Sequence, residues 1–460
     1  MKKLILAAAA LAFSTSVNGQ SAQERLDDRY DLALAAGYKA LFLCGAIANA
    51  EANGAERSED SVHQWELSGV YSAIDPIVRD LEYRVMRGGD GYVAHVEVDW
   101  ADDMPPRFAE AEWKSGCRLA PIGLTPSMPE TMGPGAAISS SATAYAVSAE
   151  DAALDDRLDH LFDDALGDAY GDGARTTAVL VRTTDAEGSR YKAPYGPDTP
   201  QRTWSVAKSI AATLVGAAVH KGQVDVNAPL VRDEWRWDAR RQITVDHLLR
   251  MASGRYSDTP GNRTDPLYAG GALVEEVATD WPLIYKPGTH YRYANNDTLM
   301  AVKAVTDRHE DFDPAQFFEA VGMEHTVAET DWAGDYILSS QVWSTAPDLA
   351  DLGELYLNDG LLPNGTRILP EGWLNYVSDP SGPQPEGRSW GYGAGWWLLN
   401  KEEGIPDDTI LAAGNRGQYI VVVPSRDVVI VRRGEDMVGT RFDIVAFARD
   451  VLEALEKQGG

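Results

Sequence analysis

Thr203-Trp204-Ser205-Val206-Ala207-Lys208-Ser209 runs directly into an apolar stretch from Ile210 to Val219. A serine ahead of such a stretch predicts a helix beginning at that serine. Ser205 and Lys208 are three apart, so they share one helix face. That spacing lets the lysine amine reach the serine hydroxyl. A hydroxyl is a poor nucleophile until a base takes its proton, and lysine is one of the few alternatives to histidine. Taken alone, Ser-x-x-Lys also describes an ordinary N-cap serine followed by a surface lysine.

A second element decides between these readings. Pro287-Gly288-Thr289-His290-Tyr291-Arg292-Tyr293-Ala294-Asn295-Asn296 carries Tyr-x-Asn in a loop led by Pro-Gly. A phenol and an amide two residues apart in an extended segment point the same way and can enter one proton-transfer network. Together, Ser205-x-x-Lys208 and Tyr293-x-Asn295 resemble the motifs of serine hydrolases related to class C β-lactamases and penicillin-binding proteins. The resemblance runs from about Asp151 to the C-terminus. It includes Ile243-Thr244-Val245-Asp246-His247-Leu248-Leu249-Arg250-Met251-Ala252-Ser253-Gly254 and Trp390-Gly391-Tyr392-Gly393-Ala394-Gly395-Trp396-Trp397. The phrasing resembles most the 6-aminohexanoate-dimer hydrolase-like branch, which includes esterases and amidases.

The resemblance implies an α+β chain with a β-lactamase-like fold, in which an antiparallel sheet flanked by helices meets an all-helical domain at the active site. It implies Ser205 as the nucleophile of an acyl-enzyme, Lys208 as the group acting on its proton, and Tyr293 as the relay toward the leaving group. Asn295 would orient Lys208 or bond the substrate. The resemblance places the oxyanion hole at the backbone N–H groups of Ser205 and Asn415. Family members carry Lys-Thr-Gly or His-x-Gly on a strand. Here the best match is Ala412-Ala413-Gly414, followed by Asn415-Arg416-Gly417-Gln418. The cation is missing, which counts against β-lactamase and carboxypeptidase activity and fits the aminohexanoate-dimer branch. Gly414 allows close backbone approach. Arg416 reads either as a binder of a substrate carboxylate or as a surface arginine.

The expectation is a secreted serine hydrolase acting on a small ester or amide. Two alternatives are a β-lactamase or D-amino-acid peptidase acting on cell-wall peptides, and a catalytically silent binding protein of the same fold. The aromatic cluster Trp390, Tyr392, Trp396 and Trp397 suggests a partly apolar pocket wall shared with the core. No metal-binding or phosphate-binding motif is present in the sequence, so no cofactor is expected.

The ends of the chain carry further information. Met1-Lys2-Lys3, the apolar run Leu4 to Phe13 and the small, polar exit Ser14 to Gly19 read as a signal peptide over residues 1–19. Export to a bacterial periplasm or the medium follows. No other apolar run long enough to span a bilayer is expected. The two cysteines, Cys44 and Cys117, either pair in that oxidising compartment or stay as buried thiols. Residues 20–148 read as an α+β accessory region and linker, and residues 149–460 as the hydrolase domain. Within the first, helix is expected over 23–53, a strand over 92–98, its partner over 107–117 and a linker over 128–141. The net charge of −29 argues against nucleic acid and anionic membrane surfaces as partners. It reads as a solubility feature or as an acidic rim that attracts cationic substrates. Oligomeric state is not legible.

Overall fold

The computed structural model describes residues 20–126, 148–256, 265–309 and 311–456. The expected signal peptide and the expected linker over 128–141 lie outside the described residues.

The chain opens with helix α1, Ala22–Ala52. Ser21 caps it: its hydroxyl accepts from the Glu24 amide at 3.1 Å while the Glu24 carboxylate accepts from the Ser21 amide at 2.6 Å. This reciprocal pair satisfies two amides that a helix start leaves unpartnered. A four-stranded antiparallel sheet follows, β1 Tyr83–Arg87, β2 Val93–Val98, β3 Arg107–Glu112 and β4 Gly116–Leu119, in that order. The stretch 107–117, expected as one strand, is split by a turn at Lys114, which has φ +62°. Cys117 on β4 is bonded to Cys44 on α1.

Contrary to the expectation of no further membrane-length run, α1 is long and apolar enough to cross a bilayer, with a window of mean hydropathy 1.5. That window is 83% buried inside the protein. Its apolar residues Leu41, Phe42, Leu43 and Ile47 pack on Val96, Val98 and Ala109 of the sheet.

From residue 148 a larger unit is built. Helix α2, Ala149–Leu166, leads into β5 Thr176–Arg182, β6 Glu187–Tyr191 and the short β7 Gln201–Arg202. Helix α3, Ala207–His220, follows directly. A mainly helical section contains α4, Asn295–Thr306. The chain then passes through β8 Val327–Ala328, β9 Val342–Ser344 and α5 Ala346–Leu357. It ends with β10 Gly391–Tyr392, β11 Trp397–Leu398, β12 Ile410–Gly414, β13 Gln418–Val423, β14 Val428–Gly434 and α6 Ile444–Glu456.

Seven strands form one antiparallel sheet in the order β10-β11-β12-β13-β14-β5-β6. Successive side chains of a strand point to opposite faces. Leu180, Ala412, Ile420, Val422 and Val431 therefore face one core with Ile210 and Leu214 of α3. Val179, Leu411, Val421 and Ile430 face a second core with Leu158 and Phe162 of α2 and Phe447 of α6. Both faces are covered, which is why 418–423 reads as an almost unbroken apolar run.

A small sheet, β7-β9-β8, fixes the approach to Ser205. Thr203 donates its amide to the Val342 carbonyl at 2.8 Å, two residues ahead of the serine.

The seam between the first sheet and the larger unit buries a carboxyl. Glu329 is fully buried, and its Oε1 accepts the Cys117 amide at 2.9 Å. Burial pushes its pKa from 4.5 up to about 7. The unfolded chain releases this proton near 4.5 and the folded protein near 7, so this group's contribution is full below 4.5 and lost as pH rises through 7. The difference is on the order of 3 kcal/mol. We expect thermal unfolding of the wild type to move to lower temperature between pH 5 and 7.5. In Glu329→Gln that part of the slope should disappear. Identical slopes in the two proteins would refute the assignment.

Candidate active site

Ser205 sits in a single 3-10 turn, Trp204–Val206, at the entry to α3. Backbone amides at a helix start favour negative charge nearby. Trp204 holds φ +50°, a left-handed conformation rare for a bulky residue.

One turn along, Lys208 is 2% exposed. Its Nζ lies 3.0 Å from Ser205 Oγ, 2.5 Å from Asn295 Oδ1 and 2.8 Å from the Ser339 carbonyl. These three oxygens match the three donors of an ammonium. Burial disfavours the charged form and lowers the amine from 10.5 to about 7. Near neutral pH the amine is therefore deprotonated in a large fraction of molecules. It can take a proton from Ser205, and the resulting ammonium finds every N–H partnered.

Tyr293 lies within hydrogen-bonding reach of Ser205. Burial raises its phenol to about 12, opposed by Ser205 and by the nearby Arg388 guanidinium. A phenol held this way stays protonated at neutral pH and can donate. The ring stacks on Trp397 at 5.4 Å, meets Tyr392 edge-on at 6.1 Å, and has Lys208 Nζ 5.0 Å from its centroid. Asn295 is the first residue of α4, which points its amide at Lys208.

Gly414 ends β12 against the serine turn. A Cβ there would meet the Thr203 carbonyl at 2.4 Å and lie 3.2 Å from the Ser205 amide nitrogen. Only glycine lets the strand come this close. Asn415, Arg416 and Gly417 then turn the chain into β13, with Asn415 exposed.

Arg416 corrects both of its sequence readings. It neither faces a substrate nor lies on the surface. The guanidinium is buried, paired with Glu435 at 2.5 Å, and donates to the carbonyls of Trp65 at 2.7 Å and Ser68 at 3.0 Å. A burial this deep is tolerated because each donor has an acceptor.

The aromatic cluster divides. Trp396 is fully buried in the first core and donates to the Tyr356 hydroxyl at 3.2 Å. Tyr392 and Trp397 form the wall behind Tyr293, and Trp390 meets Trp397 at 6.0 Å. Sequence reading missed Ser339. Its contribution is a backbone carbonyl, which any residue supplies, so no side-chain signal marked it. It also missed Arg388, whose guanidinium lies 5.7 Å over the Trp397 ring.

A serine at a helix entry, held against a buried lysine beside an antiparallel sheet, is the arrangement of a serine hydrolase. The chain belongs to the beta-lactamase family, whose model matches residues 154–432, more than half of the sequence, and it is a β-lactamase-related serine hydrolase. It is similar to the 6-aminohexanoate-dimer hydrolase of Paenarthrobacter ureafaciens, at 26% identity over 293 residues, spanning 56% of this chain and 72% of that protein. A Bacillus anthracis protein provisionally assigned as a 6-aminohexanoate-dimer hydrolase shares the fold with a TM-score of 0.53 at 21% identity, covering 66% of this chain and 83% of its own. A class C beta-lactamase does so with a TM-score of 0.51 at 14% identity, covering 68% of this chain and 99% of its own. At these identities the two structures speak for the fold alone. They agree with the expected β-lactamase-like α+β architecture.

If Lys208 reacts as the free amine, labelling of Ser205 by phenylmethylsulfonyl fluoride should rise with pH through about 7 and then level off. Lys208→Met should lose the labelling, and Asn295→Asp should move the rise to higher pH, because a carboxylate favours the ammonium. Peptide mass spectrometry after timed labelling measures this. A rate that is flat from pH 5 to 9 would remove Lys208 as the base.

Proposed function

We propose that this chain is an exported hydrolase that cleaves esters or non-peptide amides through an acyl-enzyme on Ser205. The observation that carries the reading is Lys208, buried, depressed to about 7 and 3.0 Å from Ser205 Oγ. In this reading Lys208 takes the hydroxyl proton as Ser205 attacks the carbonyl carbon. The Ser205 and Asn415 amides receive the developing oxyanion. Tyr293 gives a proton to the departing alkoxide or amine. Water then attacks the acyl-enzyme, its proton passing to the same groups in reverse.

Division of the chain into a signal at 1–19, an accessory region at 20–148 and a hydrolase domain at 149–460 belongs to this proposal. The basic start and apolar run at Met1 to Phe13 support export, as does the bond between Cys44 and Cys117.

Two observations bear on the substrate. First, Ala412 stands where related enzymes carry a cation, so a substrate carboxylate finds no charge on β12. This ranks esters and amides above β-lactams and cell-wall peptides. Second, Arg388 is exposed beside the Tyr293–Trp397 stack, and among the described residues no carboxylate pairs with it. In this reading the cation lies near Tyr293, the group that would protonate the leaving group. A leaving group bearing a carboxylate fits it, and the dimer in the name of the 6-aminohexanoate relative has such a group.

The wild type should hydrolyse p-nitrophenyl acetate, and Ser205→Ala should fold normally and lose turnover. Tyr293→Phe should fall by about 10²- to 10⁴-fold. Equal rates in wild type and Ser205→Ala would refute the acyl-enzyme. Arg388→Gln should raise KM for 6-aminohexanoate dimer by about tenfold, the worth of one charge-assisted contact, and leave p-nitrophenyl acetate unchanged. An unchanged KM for the dimer would remove Arg388 from substrate recognition.

A further inference from the structure

The two backbone amides assigned to the oxyanion hole have an unusual feature in common. Each lies next to a large residue in the left-handed region. Trp204, at φ +50°, precedes Ser205, and Arg416, at φ +58°, follows Asn415. Such a conformation is strained for a non-glycine residue and persists only where the surroundings impose it.

Both side chains are held by the same body, the N-terminal unit over residues 20–126. Trp204 is buried in that unit's core, 5.7 Å from Phe42 on α1 and 6.3 Å edge-on from Tyr71. Arg202 lies over the indole at 4.3 Å and over the Phe42 ring at 4.9 Å. Arg416 reaches into the loop over 65–71, where its guanidinium bonds the carbonyls of Trp65, Ser68 and Gly69. Gly69 also accepts the Val438 amide at 2.8 Å, which ties the same loop to the chain after β14. Tyr71 closes the circuit. Its ring packs on Trp204 and its phenol lies within hydrogen-bonding reach of the Asn415 side chain. It is 36% exposed, at the edge of the core rather than inside it, and its ring also meets Tyr38 edge-on at 6.2 Å.

The matched family segment begins at residue 154, so this grip comes from outside it. We propose that the N-terminal unit is an integral part of the catalytic site: by gripping Trp204 and Arg416, it sets the two amides that receive the oxyanion. Tyr71 is a positioning residue in this scheme. The proposal rests on the acyl-enzyme reading above.

A mispositioned oxyanion hole weakens the transition state and leaves ground-state binding alone. The test is steady-state hydrolysis of p-nitrophenyl acetate by the full chain, with the pH profile and the affinity of phenylboronic acid. The boronate forms a tetrahedral adduct on the serine and so reports the same hole. Tyr71→Ala should lower kcat about tenfold. Trp204→Ala should lower it on the order of 10²-fold, and Trp204→Phe should recover most of that loss. In each case KM should stay within about twofold, the rise near pH 7 should not move, and boronate affinity should fall in step with kcat. Tyr71→Ala keeps the test decisive if a Trp204 variant fails to fold. A wild-type kcat in Tyr71→Ala, or a loss that appears in KM or as a moved pH profile, would overturn the grip. A wild type that neither turns over the ester nor takes the boronate at Ser205 would overturn the acyl-enzyme reading itself.

Discussion

The site depends on keeping one amine dry. Lys208 is an ordinary lysine in sequence, and in water it would be fully charged at neutral pH. Among the described residues no carboxylate compensates its charge. Three neutral oxygens surround it instead, from Ser205, Asn295 and Ser339. A carboxylate at any of these positions would hold the proton on the amine and end its use as a base. Neutral acceptors leave the free amine accessible near pH 7 and still receive the ammonium once it forms.

That requirement explains much of the architecture. The three acceptors come from the entry to α3, the start of α4 and the segment before β9, which are far apart in the chain. The short β7–β9 pairing brings the first and third together. Tyr293, Tyr392 and Trp397 pack together as an aromatic wall beside Lys208. The sheet faces are both apolar, so the helix carrying Ser205 and Lys208 is seated on a rigid surface.

The N-terminal unit has its own core, but its boundary with the rest is not a simple seam. Trp204 and Trp343 of the larger unit are buried in that core, and Gly45 of α1 permits the second contact. Arg416 and Glu435 form an ion pair whose remaining donors are spent on the carbonyls of the 65–71 loop. A binding module carried alongside an enzyme needs none of this. The contacts converge on the backbone beside Ser205 and Asn415.

The sequence by itself determined what local patterns carry. The apolar run after Lys208 marked a helix, the period-two and continuous apolar stretches marked strands, and a glycine ahead of Asn415 marked a close backbone approach. The four side chains that the structure brings together were legible too, because serine, lysine, tyrosine and asparagine at fixed spacing are chemical signatures. Only the tertiary structure decided the rest. Lys208 is depressed by burial, and burial belongs to the assembled molecule. Ser339 acts through a carbonyl, which leaves no trace in residue type. The strand expected over 107–117 folds back at Lys114 and Gly116, both at positive φ, inside a stretch that otherwise reads as one strand. Arg416 looked like a residue for substrate or solvent, and its guanidinium lies buried because acceptors some 350 positions away in the chain meet it there. Residue type fixes what a group can do, and long-range packing fixes which group it does it to.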